Sequence, residues 1–362
     1  MMAWLRPHFR VRSISLGPSS ETNTPLPLSF RGRVLGRLPR AINLVLRRYE
    51  KRCWTSGLSL LAKNAARTEP HFISVHDLDL LPLALAIRDL AGRHCRVLFD
   101  AREYYPSNFE DRPLWRLFFA PYNRYLARTY LGQADHVVTV SPGIATEYQR
   151  MFGVHCGVLP SFPEPLPLGP TPARDEVVRM VHHGFASRSR RIEKMIELVR
   201  LLPPRFSLDL LLVGSDVAYI HHLRTLAAPL ASRVRFLAPR PFSDLVRFTN
   251  QYDVGLFLCE PSNFNLRHCL PNKFFEFVQA RLAVAIGPSP EMASIVRRYG
   301  FGVISETFEP NSLATVLAPL SAAQLSGMKA ASHRAAAELN SAVLRPKVEA
   351  IALGQAGVEV LC

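Results

Sequence analysis

No apolar run in the chain reaches the roughly 18 residues that a bilayer-spanning helix needs. The opening, Met1-Met2-Ala3-Trp4-Leu5-Arg6-Pro7, has no apolar signal-peptide core. Cysteine is sparse. The six residues, at positions 53, 95, 156, 259, 269 and 362, form no Cys-x-x-Cys pair and meet no histidine at zinc spacing. They read as reduced thiols of a cytosolic protein. A Walker-type glycine-rich loop, a Gly-x-Ser-x-Gly elbow and a Gly-x-Gly-x-x-Gly fingerprint are all missing. Acidic residues are short as well: 29 Asp and Glu stand against 44 Lys and Arg, leaving a net charge of +15. Such a balance points to an anionic partner, whether nucleic acid, a membrane surface or phosphorylated substrates. No RNA- or DNA-binding signature accompanies it, so nucleic acid is not expected among the partners.

Apolar material, by contrast, is plentiful. With 48% hydrophobic and 20% charged residues over 362 positions, the chain can build two cored domains of about 150–200 residues each. In the first half, strand candidates are Phe9–Leu16, Phe72–Val75, Val97–Asp100, His136–Val140 and Cys156–Pro160, with helices at about 34–53, 79–92, 113–132 and 143–152. Residues 161–173, Ser-Phe-Pro-Glu-Pro-Leu-Pro-Leu-Gly-Pro-Thr-Pro-Ala, form a proline-rich break with the marks of a linker. The alternation then restarts with strand Val177–His182, a helix at about 191–202, strand Leu208–Gly214, a helix at 217–230, strand Arg233–Leu237 and a helix at about 243–251. Short strands alternating with helices predict α/β architecture with a parallel sheet in each half, two such domains flanking a cleft. The expected division is 1–165, 166–330 and, within 331–362, a C-terminal helix crossing back to the first domain.

The positive charge is not confined to a tail. Arg31, Arg33, Arg37, Arg40, Arg47, Arg48, Lys51 and Arg52 crowd one segment among Leu35, Leu38, Ile42, Leu44, Val45, Leu46 and Trp54. A second segment runs from Trp115 to Arg128 and mixes Arg116, Arg124 and Arg128 with Leu117, Phe118, Phe119, Tyr122 and Tyr125. Basic amphipathic helices of this kind lie on anionic lipid. The alternative is a pair of core-packed helices with solvated arginine faces.

The stretch Leu270-Pro271-Asn272-Lys273-Phe274-Phe275-Glu276-Phe277 is the most informative, because of its neighbours. A buried strand, Asp253–Leu258, precedes it across a polar loop at 260–271, and a second, Leu282–Gly287, comes after it. In a strand–loop–helix–strand unit the loops gather at the carboxyl edge of a parallel sheet, where α/β proteins bind ligands. There the ammonium of Lys273 and the helix dipole attract phosphate, and the carboxylate of Glu276 accepts from two ribose hydroxyls. The plainer alternative is a surface helix carrying one ordinary lysine and one ordinary glutamate.

An ordered series of segments resembles the retaining glycosyltransferases of the GT-B fold, the large family that includes bacterial polysaccharide and glycolipid enzymes. In the second half these are His183-Gly184-Phe185-Ala186-Ser187 with Arg190-Arg191-Ile192-Glu193, then Leu211-Leu212-Val213-Gly214 and Val234-Arg235-Phe236-Leu237. Tyr252-Asp253-Val254-Gly255-Leu256, Pro271–Glu276 and Gly300-Phe301-Gly302-Val303 complete them. In the first half, Ser74-Val75-His76-Asp77-Leu78-Asp79-Leu80-Leu81-Pro82 and Phe99-Asp100-Ala101-Arg102-Glu103 match acceptor-domain loops, and Ala134–Ser141 fits the domain's last strands. The resemblance implies two Rossmann-like domains, the N-terminal one with its first βα unit either missing or diverged beyond recognition, because Phe9–Leu16 fits the family's second strand.

The roles implied by the resemblance fall on particular residues. Arg191 and Lys273 occupy the places of the basic residues that hold the donor pyrophosphate, with Arg188 and Arg190 as neighbours able to substitute. Gly184 and Asn272 fall within the donor-binding segments, and Glu276 matches the ribose-binding glutamate. Many members carry a glutamate facing the donor sugar where this chain has His268. On the acceptor side the matching positions are His76, Asp77, Arg102 and Glu103, Arg102 standing where a histidine often precedes the glutamate. Catalysis is then carried by Arg191, Lys273 and Glu103. In the front-face mechanism usually assigned to such enzymes, the leaving phosphate itself can take the acceptor proton while Arg191 and Lys273 stabilise its growing charge.

Asp77-Leu78-Asp79 has the Asp-x-Asp spacing of metal-dependent glycosyltransferases of another fold, but its place opposite the nucleotide site favours a helix cap by Asp79. No metal and no cofactor beyond the nucleotide-sugar donor are expected. Of His182 and His183, which end a strand, alternation lets at most one point into the cleft. The expected activity is metal-independent transfer of a sugar, with retention, from a nucleotide-sugar donor to a glycan or lipid-linked acceptor in cell-surface polysaccharide or glycolipid synthesis. The place expected for it is the cytoplasm, peripheral at the inner face of the plasma membrane, bound to its anionic surface. A nucleotide-sugar epimerase of the same fold and a catalytically silent nucleotide-sugar-binding protein are the alternatives.

Overall fold

Among the described residues ten strands form two separate sheets, and every pairing in both is parallel. The computed structural model describes residues 2–7, 10–11, 37–92 and 94–355. Its contacts divide the chain into two units. The first comprises Met1–Leu159, Asn263–Asn265 and Leu344–Cys362, and the second Pro160–Ser262 and Leu266–Val343.

The first unit holds a four-stranded sheet in the order β1-β2-β3-β4: β1 Phe72–Val75, β2 Arg96–Ala101, β3 His136–Thr139 and β4 Gly157–Val158. Its helices are α1 Met2–Leu5, α2 Arg37–Val45, α3 Tyr49–Cys53, α4 Ser56–Ala66, α5 Leu81–Ala91, α6 Pro113–Tyr130 and α7 Pro142–Phe152. The strand expected at Phe9–Leu16 lies outside the described residues except for Arg10 and Val11, which carry no regular structure. The basic helix expected at about 34–53 is broken in two, with Arg47 between the halves in the left-handed region (φ 52°). Helix α4 has no counterpart among the helices expected from the sequence. Thr55 caps it by accepting the amide of Leu58 at 3.3 Å, and Leu58, Leu61, Ala62 and Ala65 bury its inner stripe. The cap assigned to Asp79 belongs instead to Asp77, which accepts the Asp79 amide at 3.1 Å and opens a short 3-10 turn, Leu78–Leu80. The Asp79 carboxylate meets Arg40 at 3.8 Å.

The second unit holds a six-stranded sheet in the order β10-β9-β8-β5-β6-β7. Its strands are β5 Val178–Phe185, β6 Phe206–Val213, β7 Val234–Phe236, β8 Val254–Phe257, β9 Ala283–Ile286 and β10 Gly302–Ile304. The helices are α8 Glu193–Leu201, α9 Val217–Ala227, α10 Phe242–Thr249, α11 Phe264–Arg267, α12 Asn272–Gln279, α13 Pro290–Tyr299, α14 Pro310–Leu317, α15 Ala322–Ala335 and α16 Ser341–Leu353. Residues from Leu344 onward in α16, like Asn263–Asn265 in α11 and the loop before it, count with the first unit. All four residues of β8 and of β9 are buried, as expected of parallel strands covered on both faces. One core gathers Met195, Ile196, Val199, Leu208 and Leu210; the other gathers Phe274, Phe275, Phe277, Val284 and Phe301.

From β5 the chain runs outward through β6 and β7, then returns to lay β8 on the other side of β5. Strand order therefore reverses between β5 and β8, and in an open parallel sheet that reversal leaves a crevice at the carboxyl ends of the two strands.

The proline-rich stretch at 161–173 is not a free spacer. The carbonyls of Leu166 and Leu168 accept from Arg281, whose guanidinium is held at 2.8 and 3.1 Å. Thr171 is tied to Asn250 and Lys329, and Phe162 packs edge-on against Phe275 at 4.6 Å. Proline removes the stretch's own ladder donors, and side chains of the second unit supply its hydrogen bonds instead.

Candidate functional site

The reversal point in the second unit is where the charged residues of α12 arrive. Helix α12 packs onto β8 because Gly255 has no side chain: the ring of Phe277 lies where a Cβ on Gly255 would stand. This carries Lys273 and Glu276 under the end of β5, buried to 6% and 3% exposure, so the surface-helix alternative falls. Gly184, near the end of β5, has φ +119°, and a Cβ there would stand 2.8 Å from the Lys273 Nζ. Only glycine allows that approach without displacing the lysine.

Both histidines of β5 are buried, and each meets one charge of α12. His182 Nδ1 lies 2.8 Å from the carbonyl of Leu256, and its Nε2 lies 3.4 Å from Lys273 Nζ. His183 Nε2 lies 3.5 Å from Glu276 Oε2. The imidazole of His182 stacks on Phe257 at 6.1 Å, and that of His183 meets Phe277 edge-on at 5.0 Å. Burial and the nearby lysine push His183 down to about 3, so it is neutral beside the carboxyl. Lys273 is depressed to about 7, first by burial and then by the guanidinium of Arg190. Burial raises Glu276 to about 7, against the pull of Lys273. The site thus holds an ammonium and a carboxyl that each lose their charge readily, a state that an anion on one and hydroxyl donors on the other would reverse.

The basic loop between β5 and α8 divides its arginines. A 3-10 turn, Arg188–Arg190, leads to Arg191 in the left-handed region (φ 44°, ψ 56°). Arg190 donates to the carbonyl of Phe185 at 3.3 Å, its guanidinium 3.9 Å from the position of a Cβ on Gly184. Arg191 turns to Glu260 instead (2.7 Å), an acid also bound by Lys194 at 2.9 Å. Arg188 bonds Asp216 at 3.0 Å and covers the ring of Tyr219. The guanidinium placed beside Lys273 is therefore that of Arg190 rather than Arg191. His268 lies 2.8 Å from Glu291, and Asn272 is the first residue of α12 after its extended N-cap, Pro271.

The residues expected on the acceptor side gather in the first unit at the carboxyl ends of β1 and β2. Asp100, fully buried, presents Oδ2 to His76 Nδ1 at 3.1 Å and to Arg102 at 2.8 Å. Burial raises the carboxyl of Glu103, partly offset by a hydrogen bond from Asn108, and burial also raises Asp77. Two tyrosines lock these loops: Tyr105 donates to the carbonyl of His76 at 2.7 Å, and Tyr148 donates to that of Glu103 at 2.9 Å. Among the described residues no group of three or more His, Cys, Asp or Glu side chains is gathered to hold a metal ion.

Asp100 stands inside a matching segment of the sequence, yet nothing in that segment gives it a role. An acid closing a buried apolar strand, Val97-Leu98-Phe99, was the available signal.

No family model matches the chain, and no curated protein does. Solved structures do match. HepE of Anabaena, solved in complexes with UDP and with UDP-glucose, aligns with a TM-score of 0.64 at 14% identity over 82% of each chain. WaaG, a glycosyltransferase involved in lipopolysaccharide biosynthesis, aligns at 0.55 with 15% identity over 72% of this chain and 78% of its own. An α,α-trehalose-phosphate synthase (UDP-forming) from Burkholderia vietnamiensis aligns at 0.56 with 13% identity over 88% and 82%. The chain has the GT-B fold, as the resemblance of its sequence implied.

Proposed function

We propose that the protein is a glycosyltransferase that takes a nucleotide-sugar donor on its second unit and passes the sugar, with retention and without a metal ion, to a glycan or lipid-linked acceptor. The observation that carries this reading is the convergence of Lys273 and Arg190 on Gly184, with Glu276 beside the neighbouring His183, at the strand-order reversal. Lys273 and Arg190 bind the diphosphate and stabilise the charge that grows on it as the sugar leaves. Glu276 accepts from the ribose hydroxyls, and Asn272 opens the helix whose N-terminus faces the phosphates. Arg191, paired with Glu260, and Arg188 line the outer edge of the loop. His268, oriented by Glu291, meets the sugar. HepE binds UDP and UDP-glucose, which supports a uridine donor. His76, Asp77, Arg102 and Glu103 form the acceptor-side group.

The reading extends to cell-surface polysaccharide or glycolipid synthesis at the inner face of the plasma membrane. Two helices in contact in the first unit, α2 and α6, support it. Ile42, Val45, Leu114 and Leu117 are exposed there by 49 to 73%, and Leu46 lies exposed just beyond α2. Arg47, Arg48, Arg112 and Arg116 are exposed on or beside the same helices. Apolar side chains flanked by arginines suit an anionic lipid surface. No helix among the described residues is long and apolar enough to cross a membrane.

The test is a thermal-shift screen against UDP-, GDP-, ADP- and TDP-sugars, because a ligand bound to the native state raises its apparent stability. Nucleotide release that accelerates when a lipid or glycan acceptor is added supports transfer. A new donor epimer formed without acceptor, or no stabilisation by any nucleotide sugar, refutes it.

A further inference from the structure

Strands β5 and β8 pair through Met180–Val254 and Val181–Gly255. One residue further on, where the two strands part at the reversal, a side chain takes over: His182 Nδ1 lies 2.8 Å from the carbonyl of Leu256. A carbonyl only accepts, so Nδ1 carries the proton and Nε2 presents a lone pair. That lone pair faces Lys273 Nζ at 3.4 Å, and it is the acceptor that Nζ finds among the described residues. The imidazole is fully buried and lies within 10° of parallel to the ring of Phe257, which is itself 5.2 Å from Nζ. Burial, and after it Lys273, holds His182 well below the ordinary histidine value, so the ring stays neutral and keeps its lone pair. The other charged and titratable groups about the lysine are Arg190 from the loop after β5, His183 on β5, Glu276 on α12, and Cys259 and Cys269 from the segment between β8 and α12.

We propose that His182 is a positioning residue of the donor site, an inference that rests on the transferase reading. Its Nε2 accepts from one of the three N–H groups of Lys273 and turns the others toward the donor diphosphate beside Gly184. The Leu256 carbonyl, the imidazole, the ammonium and the diphosphate then form one chain of hydrogen bonds polarised in a single direction, each link strengthening the next. In the ligand-free protein Lys273 sheds its charge readily, and its bond to His182 is long. A diphosphate that keeps the ammonium charged tightens that bond, because a charged donor makes the shorter and stronger one. An imidazolium would turn an N–H against the ammonium and break the chain, and the burial of His182 prevents this.

The experiment is calorimetric titration of UDP into the full chain and into His182→Phe from pH 5 to 9, in the same buffers so that the ionisation of UDP itself cancels. Phenylalanine keeps a ring to stack on Phe257 and removes the acceptor. It is expected to weaken UDP binding about 10- to 100-fold at neutral pH, the cost of losing a hydrogen bond to a charged group. The alkaline fall in affinity should begin at lower pH than in the wild type, since an ammonium without its acceptor sheds its proton sooner. His182→Gln, whose amide oxygen can accept from Nζ, should recover part of both. A role in folding alone would lower stability and leave the alkaline limb in place. Wild-type affinity in His182→Phe, or a loss by the same factor at every pH, overturns the proposal. In the wild type, NMR of the histidine ring nitrogens should show His182 with its proton on Nδ1 and an Nε2 signal that moves as UDP is added. A proton on Nε2, or an Nε2 signal that stays put at saturation with UDP, overturns the proposal even if neither variant folds. A wild-type protein that binds neither UDP nor any nucleotide sugar refutes the transferase reading itself.

Discussion

Replacing Lys273 by methionine removes a buried ammonium whose charge the ligand-free protein opposes. Its ordinary value of 10.5 is depressed to about 7, and at about 1.4 kcal/mol for each pH unit this corresponds to about 5 kcal/mol of opposition to the charged form. Since the folded value is the lower one, the penalty is fully present below pH 7 and fades as pH rises from 7 to 10.5, where the wild-type lysine sheds its proton in both states. Glu276 works the other way. Raised from 4.5 to about 7, it adds no penalty below pH 4.5 and its full penalty, about 3 kcal/mol, above pH 7. It also loses its neighbouring cation in the variant, so the cleanest comparison is near pH 6, where Glu276 is mostly protonated. Lys273→Met is therefore expected to stabilise the ligand-free protein there by several kcal/mol, with about 5 as the ceiling, and by much less at pH 10. Urea denaturation at pH 6 and pH 10 measures this, and titration with UDP shows the corresponding loss of affinity. A variant less stable than wild type at pH 6, or a gain equal at both pH values, would show that the site is not built around a disfavoured charge.

The same two groups give nucleotide affinity a maximum near pH 7, since diphosphate needs the protonated lysine and ribose the ionised glutamate; calorimetry showing flat UDP affinity from pH 5 to 9 would refute this. Glu276→Ala should weaken UDP binding by about 1–3 kcal/mol, and Arg190→Ala should weaken it more than Arg191→Ala, a ranking reversed if Arg191 leaves Glu260 for the phosphates. Transfer should survive exhaustive EDTA treatment, whereas abolition with rescue by manganese would return Asp77 and Asp79 to the centre. Co-sedimentation with anionic vesicles should be strong at low salt and fall as salt rises, since each basic residue contributes about 1 kcal/mol. Arg47, Arg48, Arg112 and Arg116 changed together to glutamine should lose it, and equal pelleting with neutral vesicles would sink the lipid assignment.

Strand positions were legible because parallel strands buried on both faces leave short apolar runs, and Val254–Phe257 and Ala283–Ile286 read as such from residue order alone. The strand order that makes the reversal between β5 and β8 was not legible, since no local pattern says beside which strand β8 returns. Side-chain partners were harder still. Arg190 and Arg191 are adjacent in sequence and equally basic, and what separates them is the left-handed turn at Arg191 that aims one guanidinium at Glu260 and leaves the other by Gly184. The histidines show the same limit. Strand alternation allowed only one of His182 and His183 to reach the site, but α12 crosses the strand end with charges one turn apart. Lys273 thus meets one ring and Glu276 the other. Asp100 was invisible as a partner for a similar reason: its register opposite Val138 and the reach of His76 from β1 exist only once the sheet has formed. What composition carried was the chemistry of the ligand class, an anion; what only folding supplied was which of many arginines and histidines stands where an anion or a hydroxyl would be.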